Sequence, residues 1–235
     1  MKALILAGGR GKRLEGVSDN RNKCMLELKG RPLIEHNLNN IIKLNINEIV
    51  IVVGYRAEDI INTYGIEYKG KKIKYVIQSN QHGLVHAIES SKEALGSEDF
   101  MLFLGDEILI NPKHKEMIEI FNNEGLFGIC GIVIEKDRSK IKHTYSIFND
   151  EGGRIYRLIE KPRNPQNDMQ GTGNCIFKNE LLSYIEKTPI NQVRGEKELP
   201  DLIQCAIDEG KIVKSFIICD KYSNINSEED LKEVT

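Results

Sequence analysis

The sequence predicts an α/β fold, with a mixed but mainly parallel sheet flanked by helices. Three observations carry that expectation. Short continuous apolar runs end at glycine, helical periods separate them, and the second half turns to a hairpin pattern. Ala3-Leu4-Ile5-Leu6-Ala7 is the first run, stopped by Gly8-Gly9, and a strand so uniformly apolar is one covered on both faces. Leu33, Ile34, Leu38, Ile41, Ile42 and Leu44 then recur at helical spacing behind Pro32, a residue suited to a first helical turn. Residues 49–53 are a second strand stopped by Gly54, 57–64 a helix, and 73–77 a third strand. Residues 83–95 form one helix, and Phe100–Leu104 a fourth strand stopped by Gly105-Asp106.

In the back half, 128–135 and 146–148 read as strands. Asn149-Asp150-Glu151-Gly152-Gly153 is a hairpin turn, and 154–160 the returning antiparallel strand. Residues 174–177 are another strand, followed by helices near 179–186 and 198–209. A last strand at 213–218, a turn, and a short helix at 228–234 finish the pattern. No repeat, low-complexity stretch or linker divides residues 1–235, so a single unit is expected, its halves 1–110 and 111–235 sharing one sheet.

Lys and Arg total 33 and Asp and Glu 35, a formal charge of −2. That balance argues against a nucleic-acid binder, which carries a basic excess. With 40% hydrophobic and 29% charged residues, the composition suits a folded soluble chain. No apolar run approaches the roughly 20 residues that span a bilayer, and the opening run is too short for a signal-peptide core. Cys24, Cys130, Cys175, Cys205 and Cys219 are scattered without a C-x-x-C. They read as reduced packing thiols of a cytoplasmic protein.

Leu6-Ala7-Gly8-Gly9-Arg10-Gly11-Lys12-Arg13-Leu14 leaves the first strand directly. Such glycines let backbone N–H groups approach phosphates and a base closely. A dinucleotide-binding fingerprint fails, because Leu14 stands where its third glycine belongs and the second strand ends too far on to supply the ribose-binding acid. A Walker A loop fails too, since Arg13 follows Gly11-Lys12 where Ser or Thr is required. What remains is a strand-to-loop site rich in cations. Arg10, Lys12, Arg13, Arg21 and Lys23 fall within fourteen residues, opposed by Glu15 and Asp19. The cluster suits a triphosphate, and the glycine spacing alone also fits a basic surface loop.

The pattern L-A-G-G-x-G-x-R-L over Leu6 to Leu14, Lys23 ten residues past Arg13, and Gly30-Arg31-Pro32-Leu33-Ile34-Glu35-His36 resemble the sugar-1-phosphate nucleotidyltransferase family. Gly105-Asp106, Glu160-Lys161-Pro162 and Gly171-Thr172-Gly173 extend the resemblance, in the family's order, over nearly the whole chain. It implies a Rossmann-like fold of the nucleotide-diphospho-sugar transferase (GT-A-like) type. Residues 1–110 would bind a nucleoside triphosphate and 111–235 a small phosphorylated acceptor. The implied reaction is attack of an acceptor phosphate oxygen on the α-phosphorus, releasing pyrophosphate, with Mg2+ as cofactor. Such chemistry asks the protein to align two anions and neutralise developing charge.

On this resemblance Arg13 grips the leaving phosphates, as a guanidinium can do bidentately, and Lys23 places a point charge at the α-phosphate. Leu6, Gly8, Gly9 and Gly11 line the nucleotide, with Gln78 and Gly83 at the base. A Gln offers donor and acceptor, matching a pyrimidine edge, although a polar residue in a turn before a helix fits the pattern equally. Asp106, at the end of the fourth strand, is an implied magnesium ligand. Asn224, in Tyr222-Ser223-Asn224-Ile225-Asn226-Ser227, stands where relatives carry a second metal-binding Asp in a D-x-G-T-like stretch. Its carbonyl can ligate magnesium with less charge. Glu107 is either a helper beside Asp106 or a surface residue. His82 and His86, four apart, lack a third ligand and read as helix surface.

Glu160 is implied to bind acceptor hydroxyls and Lys161 the acceptor phosphate. Thr172 lines the same pocket with backbone and hydroxyl, and Arg194-Gly195-Glu196-Lys197-Glu198 supports it. Two departures stand out. Tyr145-Ser146 replaces a Tyr-Gly pair, so that Ser146 would reshape the acceptor pocket, and Lys12 replaces a small Ser or Thr. The expectation is an enzyme that makes a nucleotide-activated sugar from a nucleoside triphosphate, pyrimidine favoured, and a sugar 1-phosphate. The alternatives are a cytidylyltransferase for a choline-, amino-acid- or phosphonate-like acceptor, which Ser146 favours, and a non-catalytic nucleotide sensor, which Asn224 keeps open. The sequence leaves the oligomeric state open and points to no nucleic-acid or membrane partner.

Overall fold

Runs of Val, Ile, Leu and Phe with no polar face set the middle of the molecule. The computed structural model describes residues 1–11 and 21–233, so Lys12, Arg13 and Leu14 lie outside the described residues. The front half comprises β1 (Lys2–Ala7), β2 (Glu27–Leu28), β3 (Arg31–Pro32), α1 (Leu33–Ile41), β4 (Glu48–Val53) and α2 (Ala57–Tyr64). It continues through β5 (Glu67–Tyr68), β6 (Lys71–Ile77), α3 (Gly83–Ser90), α4 (Lys92–Leu95), β7 (Phe100–Leu104) and β8 (Glu107–Ile110). The back half comprises α5 (His114–Asn123), β9 (Gly128–Ile134), α6 (Arg138–Ile141), β10 (Tyr145–Asn149), β11 (Ile155–Glu160) and β12 (Met169–Phe177). It ends with α7 (Leu199–Asp208), β13 (Val213–Ile217), β14 (Lys221–Asn224) and α8 (Glu228–Glu233).

Strands from both halves join in one ten-stranded sheet, in the order β11-β10-β12-β7-β1-β4-β6-β5, with β9 paired to β12 and β13. Strand β1 lies parallel between β7 and β4, and β6 runs parallel to β4. Alternation divides the central strands between two cores. Leu4, Val50, Val52 and Leu102 pack with Val85, Ile88, Leu202 and Ile203 of α3 and α7. Ala3, Ile5, Ile49, Ile51 and Phe103 pack with Ile34, Leu38, Met117 and Phe121 of α1 and α5 on the opposite face. Each Val, Leu, Ile, Met or Phe among them contributes roughly 1.5–3 kcal/mol by leaving water, enough to override weak local propensity. The back half joins the front where β12 runs antiparallel to β7, Cys175 opposite Leu102.

Several elements differ from the sequence reading. The helix expected over 83–95 breaks at buried Ser91, whose hydroxyl bonds the Ile88 carbonyl. The helix expected near 179–186 is a 3-10 helix, Asn179–Tyr184. Strand β12 begins at Met169, before the expected 174. The stretch after 218 contains strand β14, which pairs antiparallel with β8 in a small second sheet. Helix α5 is a further element that the sequence reading did not anticipate. The five cysteines are free, and among the described residues no helix is long and apolar enough to cross a membrane.

Candidate active site

Loops leave β1 and β7 at the carboxyl ends of parallel strands, where an open α/β sheet offers a crevice. A cavity of about 460 Å³ opens there, and residues of both halves line it. Leu6, Gly8, Gly9, Lys23, Gln78, Gly83 and Asp106 form its front-half wall, and Tyr145, Glu160, Lys161, Thr172 and Asn224 belong to its back-half wall.

Lys23 owes its place to the residue before it. Asn22 is fully buried, its amide donating to the Ala7 and Tyr55 carbonyls at 3.0 and 2.7 Å. Its side-chain oxygen accepts the Cys24 N–H at 2.8 Å and caps the 3-10 turn Lys23–Met25. The Lys23 ammonium, from a side chain that is itself buried, meets Asp106 Oδ2 at 2.5 Å and Asn226 Oδ1 at 3.0 Å. Asn37 of α1 donates to the Leu104 carbonyl at 2.9 Å, holding the turn that presents Asp106. On the far side of that turn, Ile225 N–H donates to the Asp106 carbonyl at 3.0 Å and brings Asn224 alongside. The Asn224 Oδ1 atom is buried without a hydrogen-bond partner. Such an oxygen is costly unless something binds it.

Gln78 donates to the Gly83 carbonyl at 3.3 Å and pairs with His86 Nδ1 at 2.9 Å. A Cβ on Gly8 would come within 3.0 Å of the Gln78 side-chain oxygen, so glycine there lets the two meet. Gln81 fixes the same loop by donating to the Gly8 carbonyl at 2.8 Å. Gly11 does not line the cavity; its positive φ and missing Cβ leave room for the Lys23 side chain.

The back-half wall is charged. Glu160 meets Lys161 at 3.2 Å and Arg194 at 3.1 Å, and Arg194 also pairs with Glu196 and, at 2.9 Å, with Glu198. Burial raises the pKa of Glu160, opposed by Lys161 and Arg194. Burial, with Glu160 nearby, pushes Glu198 up to about 7. Lys161 holds a φ of 41°, strained for a residue with a side chain, and its N–H bonds the Thr144 carbonyl at 2.7 Å. Glu196 reaches across to the front half, lying where a Cβ on Gly83 would sit.

Two residues expected in this wall are placed differently from one another. Ser146 does not line the cavity. Successive side chains of a strand point to opposite faces, Tyr145 takes the cavity face, and Ser146 Oγ is buried with no hydrogen-bond partner. The Thr172 hydroxyl is committed elsewhere, donating to the Gly131 carbonyl at 3.0 Å and accepting the Asn174 N–H at 3.1 Å. The Thr172 carbonyl is taken by the Tyr145 hydroxyl at 2.7 Å. Arg13 lies outside the described residues.

A profile described as nucleotidyl transferase matches residues 2–230. The chain belongs to that family. Similar proteins include the UTP–glucose-1-phosphate uridylyltransferase AglF of Haloferax volcanii, 31% identical over 99% of this chain and 94% of the relative. The glucose-1-phosphate thymidylyltransferase of Streptomyces griseus is 29% identical over 100% of this chain. The chain spans 65% of that relative and 64% of the Haloferax volcanii low-salt glycan biosynthesis nucleotidyltransferase Agl11, about two-thirds of these longer proteins. In fold it matches a UDP-glucose pyrophosphorylase complexed with UDP-glucose, with a TM-score of 0.89 at 21% identity, covering 99% of this chain and 96% of that one.

In this nucleotidyl transferase chain one buried group stands out from the sequence reading. Glu107 is 1% exposed, not a surface residue. Its carboxylate accepts Gly173 N–H at 2.9 and 3.0 Å, Asn174 Nδ2 at 2.9 Å and the Tyr222 hydroxyl at 2.6 Å. Burial pushes its pKa up to about 7 against the pull of these donors. Because Asn174 gives its amide N–H to Glu107, its oxygen faces His114 Nε2 at 2.9 Å, which makes that ring nitrogen the donor. His82 and His86 stack 5.2 Å apart, and no group of three or more His, Cys, Asp or Glu among the described residues forms a metal cage.

Proposed function

We propose that this chain joins a nucleoside triphosphate to a sugar 1-phosphate, giving a nucleoside diphosphate sugar and pyrophosphate. The observation that carries the reading is a single cavity lined by Lys23 and Asp106 of one half and by Asn224, Glu160 and Lys161 of the other. An oxygen of the acceptor phosphate forms a bond to the α-phosphorus while the bond to the β-phosphate oxygen breaks and pyrophosphate departs. Lys23 neutralises charge at the α-phosphate and Lys161 anchors the acceptor phosphate, each as a point charge. Glu160 accepts from acceptor hydroxyls, and Gln78 reads a pyrimidine edge beside Gly8 and Gly83. Arg13 is assigned to the leaving phosphates by family resemblance. The uridylyl- and thymidylyltransferase names of the relatives support a pyrimidine nucleotide.

The residues also fit a divalent ion. The Asp106 carboxylate and the unpartnered Asn224 oxygen line one cavity and supply hard oxygen ligands, the kind magnesium shares with substrate phosphates. When held by these oxygens, magnesium would act as a Lewis acid that offsets phosphate charge.

A panel of UTP, dTTP and CTP against sugar 1-phosphates and phosphocholine-like acceptors, scored by pyrophosphate release with magnesium or EDTA, tests the reading. Release with a pyrimidine triphosphate and a hexose 1-phosphate, lost in EDTA, is the expected result. Turnover with non-sugar acceptors alone would replace it by the cytidylyltransferase reading, whose sequence support, Ser146, lies off the cavity. Silence with every pair would leave a binding role.

A further inference from the structure

We propose that Glu107 is a positioning residue that ties the acceptor wall to the strand carrying Asn224, so that both keep register with Asp106. The inference rests on the functional reading above for what the two walls do. Strand β12 pairs regularly with β9 at Gly171 opposite Ile132 and again at Cys175 opposite Cys130. Three residues, 172–174, therefore stand opposite the single Gly131. A bulge of this kind releases ladder donors and re-aims side chains. The Thr172 hydroxyl fastens it to Gly131, and Gly173 N–H turns to Glu107. A Cβ on Gly173 would overlap Leu104, so the bulge lies directly against the end of β7, one turn from Asp106.

The same carboxylate holds Tyr222 of β14, two residues before Asn224, and Glu107 is the ladder partner of Asn224. Its remaining acceptor capacity goes to Asn174, which continues to His114 of α5. One side chain thus gathers the acceptor wall, the metal-side strand and a helix beneath the sheet. No other described carboxylate joins β8, β12 and β14 by side-chain hydrogen bonds.

Glu107→Gln is isosteric but puts an amide where one of three donors points, so one tether must let go. Tyr222→Phe cuts only the β14 tether. The experiment measures kcat, the KM values for triphosphate and acceptor, and Mn2+ binding by electron paramagnetic resonance with a non-hydrolysable UTP analogue present. Glu107→Gln should raise the acceptor KM and the Mn2+ dissociation constant about tenfold each, as loss of a ligand-orienting partner does, while the triphosphate KM stays within about twofold. Tyr222→Phe should weaken Mn2+ binding by about threefold and leave the acceptor KM alone. In the double variant the Mn2+ effect should match that of Glu107→Gln alone, since both act through one link.

Parallel loss of all parameters with a lowered melting temperature, or additive Mn2+ effects, would overturn the proposal. If wild type turns over no substrate pair, the functional reading fails on its own, and the Mn2+ measurements still decide the coupling. Absence of nucleotide-supported Mn2+ binding in wild type would overturn both. Should Glu107→Gln not fold, the Tyr222→Phe result stands alone, an unchanged Mn2+ affinity counting against the idea.

Discussion

The two walls of the cavity are built by different physics. The front-half wall is made of backbone brought close: Gly8, Gly9 and Gly83 leave space, Gln81 and Asn22 pin loop carbonyls, and one ion pair, Lys23–Asp106, carries the charge. The back-half wall is a dense charged network, three carboxylates around Arg194 with Lys161 at its edge. A wall of glycines and carbonyls has a shape that changes little with its ligand. A wall of ion-paired carboxylates can exchange partners with an incoming polar molecule. On the proposed reading, the nucleotide meets the backbone wall and the acceptor the charged one.

The severest test of that contrast is Lys23→Ala. It removes the front wall's only described cavity-lining cation and leaves Asp106 unpaired, so kcat should fall about 10²–10³-fold with the circular dichroism spectrum preserved. A loss under tenfold would make the front wall passive. Next is the seam beneath the walls, where burial lowers the pKa of His114 from 6.5 to about 4. Between those values the unfolded chain binds more protons than the folded one, so stability falls as pH drops through the window. That loss is at most about 3 kcal/mol. Urea unfolding from pH 7 to pH 4 should show wild type losing stability relative to His114→Gln, which keeps a donor for Asn174.

Lys161→Ala should come third. Its loss should raise the acceptor KM about 10- to 50-fold and leave the triphosphate KM unchanged, because a charged hydrogen bond is worth about 1.5–3 kcal/mol. Equal effects on both substrates would dissolve the division into walls. The mildest case is Ser146→Ala. Removing an unpartnered buried hydroxyl should raise stability by up to about 1 kcal/mol and move the acceptor KM less than about twofold. A tenfold KM change would return Ser146 to the acceptor wall.

What could be read beforehand follows the range over which its signal is encoded. Strands β1, β4 and β7 were legible because each is a local apolar run ending in glycine, and Asp106 was placed by standing at such an end. Helix α5 escaped because Lys115, Glu116 and Glu119 dilute its apolar stripe. The β8–β14 pair is four residues long on each side and joins segments more than a hundred positions apart, a contact no window contains. Glu107 looked ambiguous for the same reason, its partners Gly173 and Tyr222 lying 66 and 115 residues away. Which of Tyr145 and Ser146 lines the cavity was not legible, because a short strand's pattern shows that neighbours alternate but not which of them faces the cavity.

Lys161 shows how a strained backbone is held by its neighbours. Its left-handed backbone costs roughly 1–3 kcal/mol in isolation. The bond from its N–H to Thr144 and the hairpin behind it hold that conformation. The Lys161 side chain therefore starts from a fixed backbone position, with its ammonium 3.2 Å from Glu160. The direction in which the chain leaves β11 is thus set by hydrogen bonding within the hairpin, not by local preference.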